Sequence, residues 1–94
     1  MSKGPEAKLK AECRAWLREQ GAYVFSPVQV GLGSTTLDDL VCWKGQFWAF
    51  EYKRPDTCPE PTPRQFSVMG QIRMAKGRAH AIYSLDNLKG WLLD

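Results

Sequence analysis

The sequence of 94 residues predicts one domain of the α/β class, a mixed α+β arrangement in which a mixed four-stranded sheet is flanked by helices. Three observations lead to this prediction. A helical period opens the chain, three β-type segments follow it, and a helix then links the third of these segments to a fourth. Because a strand–helix–strand connection joins parallel strands by a right-handed crossover, the fourth strand is expected parallel to the third. The predicted order is α-β-β-β-α-β-α over residues 1–94.

The first predicted helix spans residues 6–20. Leu9, Cys13 and Leu17 recur at the spacing of one helix face, while lysine and arginine residues occupy the opposite side. Gly21 is predicted to end the helix, because glycine readily adopts the left-handed conformation in which many helices stop.

A short strand and a glycine-rich loop come next. The strand is predicted over residues 22–28, where Pro27 marks its end. Gly31 and Gly33, with the serine and threonine that follow, indicate a loop whose backbone can approach a ligand closely. This loop leads directly into a segment that carries two aspartates.

Residues 37–43 and 46–53 are predicted to form a β-hairpin, since both are rich in β-favouring residues and a glycine lies between them. In the second of these strands, Trp48, Phe50 and Tyr52 alternate onto one face and form its packed side. The opposite face becomes polar towards the C-terminal end of the strand.

The hairpin brings acidic side chains onto one patch of the sheet. Glu51 and Lys53 lie two residues apart and therefore project from the same face, roughly 7 Å from each other. If the connection has three residues (44–46), Asp39 lies directly across from Glu51. If the turn has two residues, Asp38 takes that place. In either register two carboxylates and an ammonium group converge.

The second half of the chain begins with a strong helix start. Thr62 and Gln65 form a capping box, with a proline between them at the first helical position. The helix is predicted to run to about Lys76, with Phe66, Met69 and Ile72 facing inward. A short buried strand over residues 79–84 and a final helix over residues 86–93 complete the chain.

The polar groups of the hairpin suit metal-dependent hydrolysis of a phosphodiester bond. Mg²⁺ prefers oxygen ligands and is usually held by one or two carboxylates together with waters and phosphate. The bound ion polarises the scissile phosphate and lowers the pKa of a coordinated water. A neighbouring lysine can orient or deprotonate that water, or stabilise charge on the phosphorane. A glutamate and a lysine two residues apart can also be a simple surface ion pair. The interpretation as a metal site therefore depends on their position in a hairpin whose other strand carries the aspartates.

The net charge is +3, from 13 basic and 10 acidic residues. The basic residues after the second hairpin strand can track a phosphate backbone, or alternatively form a solvated helix face. The candidate DNA-binding residues among them are Arg54, Arg64, Arg73 and Lys76.

Other features of the chain exclude several classes of protein. There are three cysteines without a Cys-x-x-Cys pair, and His80 is the only histidine, so no tetrahedral zinc site is expected. The absence of a recognisable signal peptide favours reduced thiols and a cytoplasmic protein. No apolar run approaches the roughly 20 residues that cross a bilayer. We therefore expect no membrane partner and no small-molecule cofactor.

These motifs resemble the virus-type replication-repair nuclease (VRR-NUC) branch of the PD-(D/E)xK nuclease superfamily, and the resemblance covers nearly the whole chain. The shared features are a glutamate about fifteen residues before a glycine, an aspartate with a hydrophobic residue after a glycine-rich segment, the E-x-K motif, and a glutamine that opens a helix: Glu6 with Gly21, Asp39-Leu40, Glu51-Tyr52-Lys53, and Gln65. In that family a proline often precedes the aspartate, whereas this chain has Asp38 there.

The resemblance implies a restriction-endonuclease-like αβββαβ core and the activity of a Mg²⁺- or Mn²⁺-dependent endodeoxyribonuclease. The catalytic residues that it implies are Asp39, Glu51, Lys53 and Gln65. The metal ligands that it implies are Glu6, Asp39, Glu51 and the backbone carbonyl of Tyr52. Two of these residues also have structural explanations. Glu6 favours the helix dipole as an acidic residue of the first turn, and Gln65 belongs to a capping box.

The resemblance also implies a substrate and a partner. Small stand-alone relatives act as homodimers on four-way (Holliday) junctions, so branched DNA and a homodimer are expected. Four tryptophans are many for so small a core, and Trp16 or Trp43 is expected at the dimer interface more than Trp48.

Two functions of other classes remain open. The first is a non-catalytic nucleic-acid-binding module of the same fold, which would be free to lose one residue of the intact set Asp39, Glu51 and Lys53. The second is a protein-interaction domain, which would leave the basic crossover helix unexplained. The intact set of three residues and the basic crossover helix both favour the nuclease over these two alternatives.

Overall fold

The computed structural model of the chain describes residues 4–28 and 35–93. Within these ranges the elements follow the predicted order α-β-β-β-α-β-α. They are α1 (Pro5–Glu19), β1 (Tyr23–Phe25), β2 (Asp39–Trp43), β3 (Gln46–Tyr52), α2 (Pro63–Met74), β4 (Arg78–Ile82) and α3 (Leu85–Leu93). The predicted loop around Gly31 and Gly33 lies outside the described residues.

Helix α1 forms where the sequence predicts it. A proline occupies its first turn, where a missing N–H costs no intrahelical hydrogen bond. Leu9, Cys13 and Leu17 are its buried residues, so one apolar stripe faces the sheet. The helix ends at Gln20, and Gly21 then adopts a positive φ of 83°. That conformation carries little penalty for glycine, which explains the stop.

The four strands form one sheet in the order β1-β2-β3-β4. The first two neighbouring pairs are antiparallel, and β3 and β4 are parallel, as the crossover through α2 requires. The sheet is therefore mixed, as predicted. Strand β1 pairs over three residues only and is shorter than the predicted 22–28. Its pairing stops before Pro27, which lacks an N–H for the ladder, and Ser26 uses its hydroxyl to contact Asp39 instead.

The two faces of the sheet are covered differently. Helices α1 and α3 pack on the face that carries Trp48, Phe50 and Tyr52, and these three side chains are buried, as predicted. Helix α2 packs on the opposite face over a smaller cluster that includes Ala49 and Met69. The sheet therefore separates a larger core from a smaller one, and the smaller core lies beside the predicted polar patch.

Helix α2 buries a narrower stripe than its sequence suggests. Met69 is buried and Val68 and Ile72 are partly buried, but Phe66 is 52% exposed. At about 100° per residue, Phe66 lies about 110° around the helix from the centre of the stripe that these three residues define. The expectation that Phe66 faces inward is wrong for this reason. In the described residues, no helix is both long and apolar enough to cross a membrane.

Candidate active site

The register of the β2–β3 hairpin decides which aspartate faces Glu51. Lys44 and Gly45 both have positive φ, at 51° and 76°, which is the conformation of a two-residue type I′ turn. Trp43 therefore pairs directly with Gln46 at the end of the hairpin. The three-residue connection is wrong, because the type I′ turn matches the natural twist of the strands and leaves Gln46 in the ladder.

This register places Asp38, and not Asp39, opposite Glu51. Asp39 pairs with Phe50. Because the two strands are antiparallel, Asp38, the residue before Asp39, lies opposite Glu51, the residue after Phe50. Successive side chains of a strand point to opposite faces. Asp38 and Glu51 thus share the α2 face of the sheet, and Asp39 points to the α1 face. The resemblance implied that Asp39 groups with Glu51 and Lys53, whereas in the structure Asp38 lies beside Glu51 and Asp39 does not.

Asp38 and Glu51 are held against each other by hydrogen bonds. Asp38 Oδ2 accepts from the backbone N–H of Tyr52 at 3.0 Å. The pKa of Glu51 is raised from its ordinary 4.5 to about 8, mainly by burial and then by the charge of Asp38 and a hydrogen bond between the two side chains. The ammonium of Lys53 opposes this rise. The positive charge of Lys53 is therefore not sufficient to keep both carboxyl groups ionised.

An open pocket of about 520 Å³ lies in front of this pair. Asp38 and Glu51 form part of one wall, and the first turns of α2 form the other, including Arg64 and Gln65. Thr35 and Thr36 contribute to the rim. The two carboxyl groups therefore face a solvent-accessible space that is wide enough for a bound ion and a phosphate group.

Lys53 lies next to Glu51 at the end of β3, and it is only 9% exposed. Its backbone N–H donates to the carbonyl of Ile82 at 2.9 Å, so the adjacent parallel strand holds its position. The Lys53 ammonium lies close enough to Glu51 to lower the pKa of that carboxyl group, and a Glu51 that has lost its proton supplies the negative charge that a buried ammonium needs. The predicted grouping of these two residues on one face is what the structure shows.

The position of Gln65 agrees with both interpretations of this residue. Its Oε1 accepts from the backbone N–H of Thr62 at 2.9 Å, and its own N–H donates to Thr62 Oγ1 at 3.2 Å. The predicted capping box is therefore present. The same side chain lines the pocket, so the cap also fixes one wall of the site.

Asp39 is enclosed on the other face of the sheet. It is fully buried and accepts hydrogen bonds from side chains on three other parts of the chain. Arg14 Nε lies 3.1 and 3.0 Å from its two carboxylate oxygens, Ser26 Oγ lies 2.6 Å away, and the hydroxyl of Tyr52 lies 2.8 Å away. Burial, followed by the charge of Asp39, raises the pKa of Tyr52 well above its usual range, which keeps the hydroxyl a donor. Asp39 therefore crosslinks α1, the end of β1, and β3.

Glu6 lies on the first turn of α1 and is not gathered with the paired carboxylates. Its Oε2 is 3.7 Å from the ammonium of Lys10, and the same ammonium is 3.7 Å from Asp38 Oδ1. Across residues 4–28 and 35–93, no group of three or more histidine, cysteine, aspartate or glutamate residues could hold a metal ion. Asp38 and Glu51 are the carboxylates that the structure places side by side at this site.

The backbone of Tyr52 adds a further oxygen near this pair. In a strand, the N–H and C=O of one residue point to the same side. The Tyr52 N–H points to Asp38, so its carbonyl also points towards the β2 side of the sheet. Two carboxylates and a carbonyl are the type of oxygen donors that Mg²⁺ takes together with water and phosphate. The residues present thus fit such an ion.

The four candidate DNA-binding residues fall into two groups. Arg64 lines the pocket, and Arg54, which follows β3, forms an exposed ion pair with Asp56 at 2.7 Å. Arg73 instead donates two hydrogen bonds to the carbonyl of Ala79, at 3.1 and 2.6 Å. Arg73 lies near the far end of α2, about 14 Å along its axis from Arg64, and Lys76 follows that helix. Of the four residues, Arg64 lines the pocket, and Arg54 comes directly after Lys53 in the chain.

Lys10 and Arg14 are functional candidates that sequence reasoning passed over. Both belong to the basic side of α1, opposite its apolar face, and no function was predicted for that side. A signal was present, because Glu6, Lys10 and Arg14 recur every four residues along one side of the helix. This spacing indicates a functional role only when it is considered together with Asp38 and Asp39, whose negative charges the two cations can neutralise.

Comparison with solved structures gives the fold a counterpart. The chain superposes on a structure described as "VRR_NUC domain" with a TM-score of 0.81, covering 97% of each chain at 20% sequence identity. No protein family model matches the sequence, and no curated protein matches it. The chain therefore has the fold of a VRR_NUC domain, as the sequence motifs predicted.

Proposed function

We propose that this chain is a metal-dependent DNA endonuclease of the VRR-NUC type, whose active site contains Asp38, Glu51 and Lys53. The observation that carries the proposal is the pairing of Asp38 with Glu51 at an open pocket, with Lys53 beside them. The fold shared with a VRR_NUC domain supports it. A non-catalytic module of this fold would have no need for two carboxyl groups forced together.

The site residues have separate roles in this proposal. Asp38, Glu51 and the Tyr52 carbonyl would hold a Mg²⁺ or Mn²⁺ ion, with Glu6 at the rim. Such an ion polarises a phosphate and makes a bound water more acidic. Lys53 orients the attacking water or stabilises negative charge on the phosphorane. Gln65 holds the opposite wall of the pocket in place through its capping box.

DNA is the proposed substrate because cationic side chains lie near the pocket and can bind the phosphates of its backbone. Arg64 lines the pocket and Arg54 lies at the end of β3, so both can bind phosphates that flank the scissile bond. Arg73 and Lys76 would contact DNA only if the duplex continued along α2. Mutation of either residue is therefore expected to weaken DNA binding less than mutation of Arg64.

A direct test uses labelled four-way junction, flap, duplex and single-stranded DNAs, each incubated with Mg²⁺, Mn²⁺ or EDTA. We expect cleavage with either ion, none in EDTA, and preference for the junction. The Glu51→Gln protein should fail to cut while still binding DNA, and Glu60→Gln, at an exposed position, serves as the matched control. Metal-independent cleavage, or full activity of Glu51→Gln, would refute the proposed site.

The proposed substrate also favours a symmetric dimer. One site cuts one strand in each engagement, and resolution of a junction needs two cuts related by a two-fold axis. Trp16 and Trp43 are partly buried against the larger core, which leaves part of each ring for an interface. Sedimentation equilibrium at micromolar concentration should give twice the monomer mass. A monomer that still cuts both strands of a junction would contradict the dimer.

A further inference from the structure

The two consecutive aspartates of the hairpin are each paired with a cation from α1. Lys10 Nζ lies 3.7 Å from Asp38 Oδ1, and Arg14 Nη2 lies 2.9 Å from Asp39 Oδ1. Lys10 and Arg14 are four residues apart, so they follow each other on one side of the helix. The helix thus supplies one cation to each face of the sheet.

The two ion pairs differ in how firmly they are made. Arg14 reaches Asp39 with hydrogen-bonding distances and a fully buried partner. The distance from Lys10 to Asp38 exceeds that of an N–H···O hydrogen bond, which is at most about 3.2 Å. The Lys10 side chain is 26% exposed, and Glu6 lies at an equal 3.7 Å from its ammonium. A partly exposed pair of this kind contributes little and can be exchanged readily.

We propose that Lys10 is a displaceable counter-ion of the site, which neutralises Asp38 in the metal-free protein and binds a substrate phosphate once a divalent cation occupies Asp38. This inference rests on the proposed function. An ammonium and a divalent cation compete for one carboxylate, because their like charges repel at this distance. Lysine has a flexible four-carbon stem, so its charge can move to a nearby anion. Glu6 keeps the ammonium at the rim, where a phosphate backbone would pass.

The inference predicts that metal and DNA assist each other through Lys10. Metal binding releases the ammonium for the phosphate, and the coupling must be equal in both directions. Removal of the ammonium should therefore tighten metal binding and weaken DNA binding only when metal is bound. A lysine that contacts phosphate at all times would weaken DNA binding equally with and without metal.

The test compares the wild-type chain with Lys10→Met and, as the matched control, Lys8→Met at an exposed position of the same helix. Calorimetric titration with Mn²⁺ should show roughly two- to fivefold tighter binding by Lys10→Met, the value of one partly exposed ion pair. Lys8→Met should match the wild type. Lys10→Arg keeps the charge and should restore wild-type metal affinity, which separates a charge effect from a folding effect.

DNA binding gives an independent measurement. The affinity for a junction is measured at several salt concentrations, in the Glu51→Gln background to prevent cleavage and, for the metal-bound state, with Mn²⁺ at a saturating level set by titration of that variant. Loss of one phosphate contact lowers the slope of log affinity against log salt by about 0.9. We expect Lys10→Met to lose this amount with Mn²⁺ and none in EDTA.

The outcomes separate the inference from the proposed function. Unchanged Mn²⁺ affinity of Lys10→Met, or an equal loss of slope with and without metal, overturns the role of Lys10 while the nuclease proposal stands. Absence of Mn²⁺ binding or of DNA cleavage by the wild-type chain overturns both.

Discussion

Two consecutive aspartates, Asp38 just before β2 and Asp39 at its start, occupy very different surroundings. Asp38 opens onto a pocket, faces another carboxyl group and has a long contact to one lysine. Asp39 is fully buried and receives hydrogen bonds from α1, β3 and the residue that follows β1. The difference shows that position on the sheet, and not residue type, separates a group available for chemistry from a group that holds the fold.

The enclosed aspartate nevertheless supports the open one. Tyr52 contacts Asp39 through its hydroxyl and Asp38 through its backbone N–H. Because one residue of β3 is held by both aspartates, the enclosed network maintains the register that brings Asp38 to Glu51. We therefore expect Asp39 to act as a positioning residue, whose loss affects the proposed site through the fold.

The largest expected effect is the loss of cleavage when the open pair is changed. Asp38→Asn should lower the cleavage rate by more than about 100-fold, since changing residues that only orient metal ligands already costs about 10–100-fold. The melting temperature should be little changed or raised, because one charge of a crowded pair is removed. The control Asp86→Asn, at an exposed position of α3, should retain full activity. Full activity of Asp38→Asn would return the ligand role to Asp39.

Removing the enclosed aspartate should reverse this pattern. Asp39→Ala leaves the guanidinium of Arg14 and the hydroxyl of Tyr52 without their acceptor. Loss of one partner from a buried ion pair typically costs 3–5 kcal/mol, and we expect about 2–4 kcal/mol here because Arg14 is partly exposed. Urea denaturation measures this loss of free energy of unfolding. The fraction that remains folded should still bind Mn²⁺, which a metal ligand at this position would forbid.

The open pair should also make stability depend on pH. The pKa of Glu51 rises from 4.5 to about 8 on folding, so the folded protein binds this proton more tightly than the unfolded chain. That contribution is complete below pH 4.5 and is lost as the pH rises to about 8. Each pKa unit corresponds to about 1.4 kcal/mol. In EDTA, the melting temperature of the wild type should fall over this range by several degrees more than that of Glu51→Gln. Parallel curves would contradict the crowding of Glu51 against Asp38.

The smallest expected effect concerns the turn that sets the register. Gly45 has a φ of 76°, and a Cβ at this position would meet no other atom. Gly45→Ala should therefore cost only the backbone strain of a left-handed residue, about 1–2 kcal/mol. Cleavage should persist, because the Asp39 network still holds β2 and β3 in register. A loss of activity as large as that of Asp38→Asn would show that the turn alone maintains the site.

Local patterns were sufficient to predict most of the fold. The period of α1, the alternation of Trp48, Phe50 and Tyr52, and the capping box of α2 each express a preference of neighbouring residues, and each is present. Strand β1 is shorter than predicted, because Pro27 has no N–H for the ladder and the Ser26 hydroxyl contacts Asp39 instead. The exposure of Phe66 was missed, because the width of a buried stripe depends on what the helix packs against.

The sequence by itself determined the order of elements and which residues could form a site: two aspartates, Glu51 and Lys53 on adjoining strands. Only the tertiary structure decided which of the two aspartates faces Glu51. A shift of one residue in a hairpin exchanges the faces of every side chain, and both turn lengths were compatible with the sequence. The choice rests on the left-handed conformations at Lys44 and Gly45 and on Arg14, which closes around Asp39 from 25 positions away in the chain. Such contacts form only when the helix packs on the sheet, so no local pattern can report them.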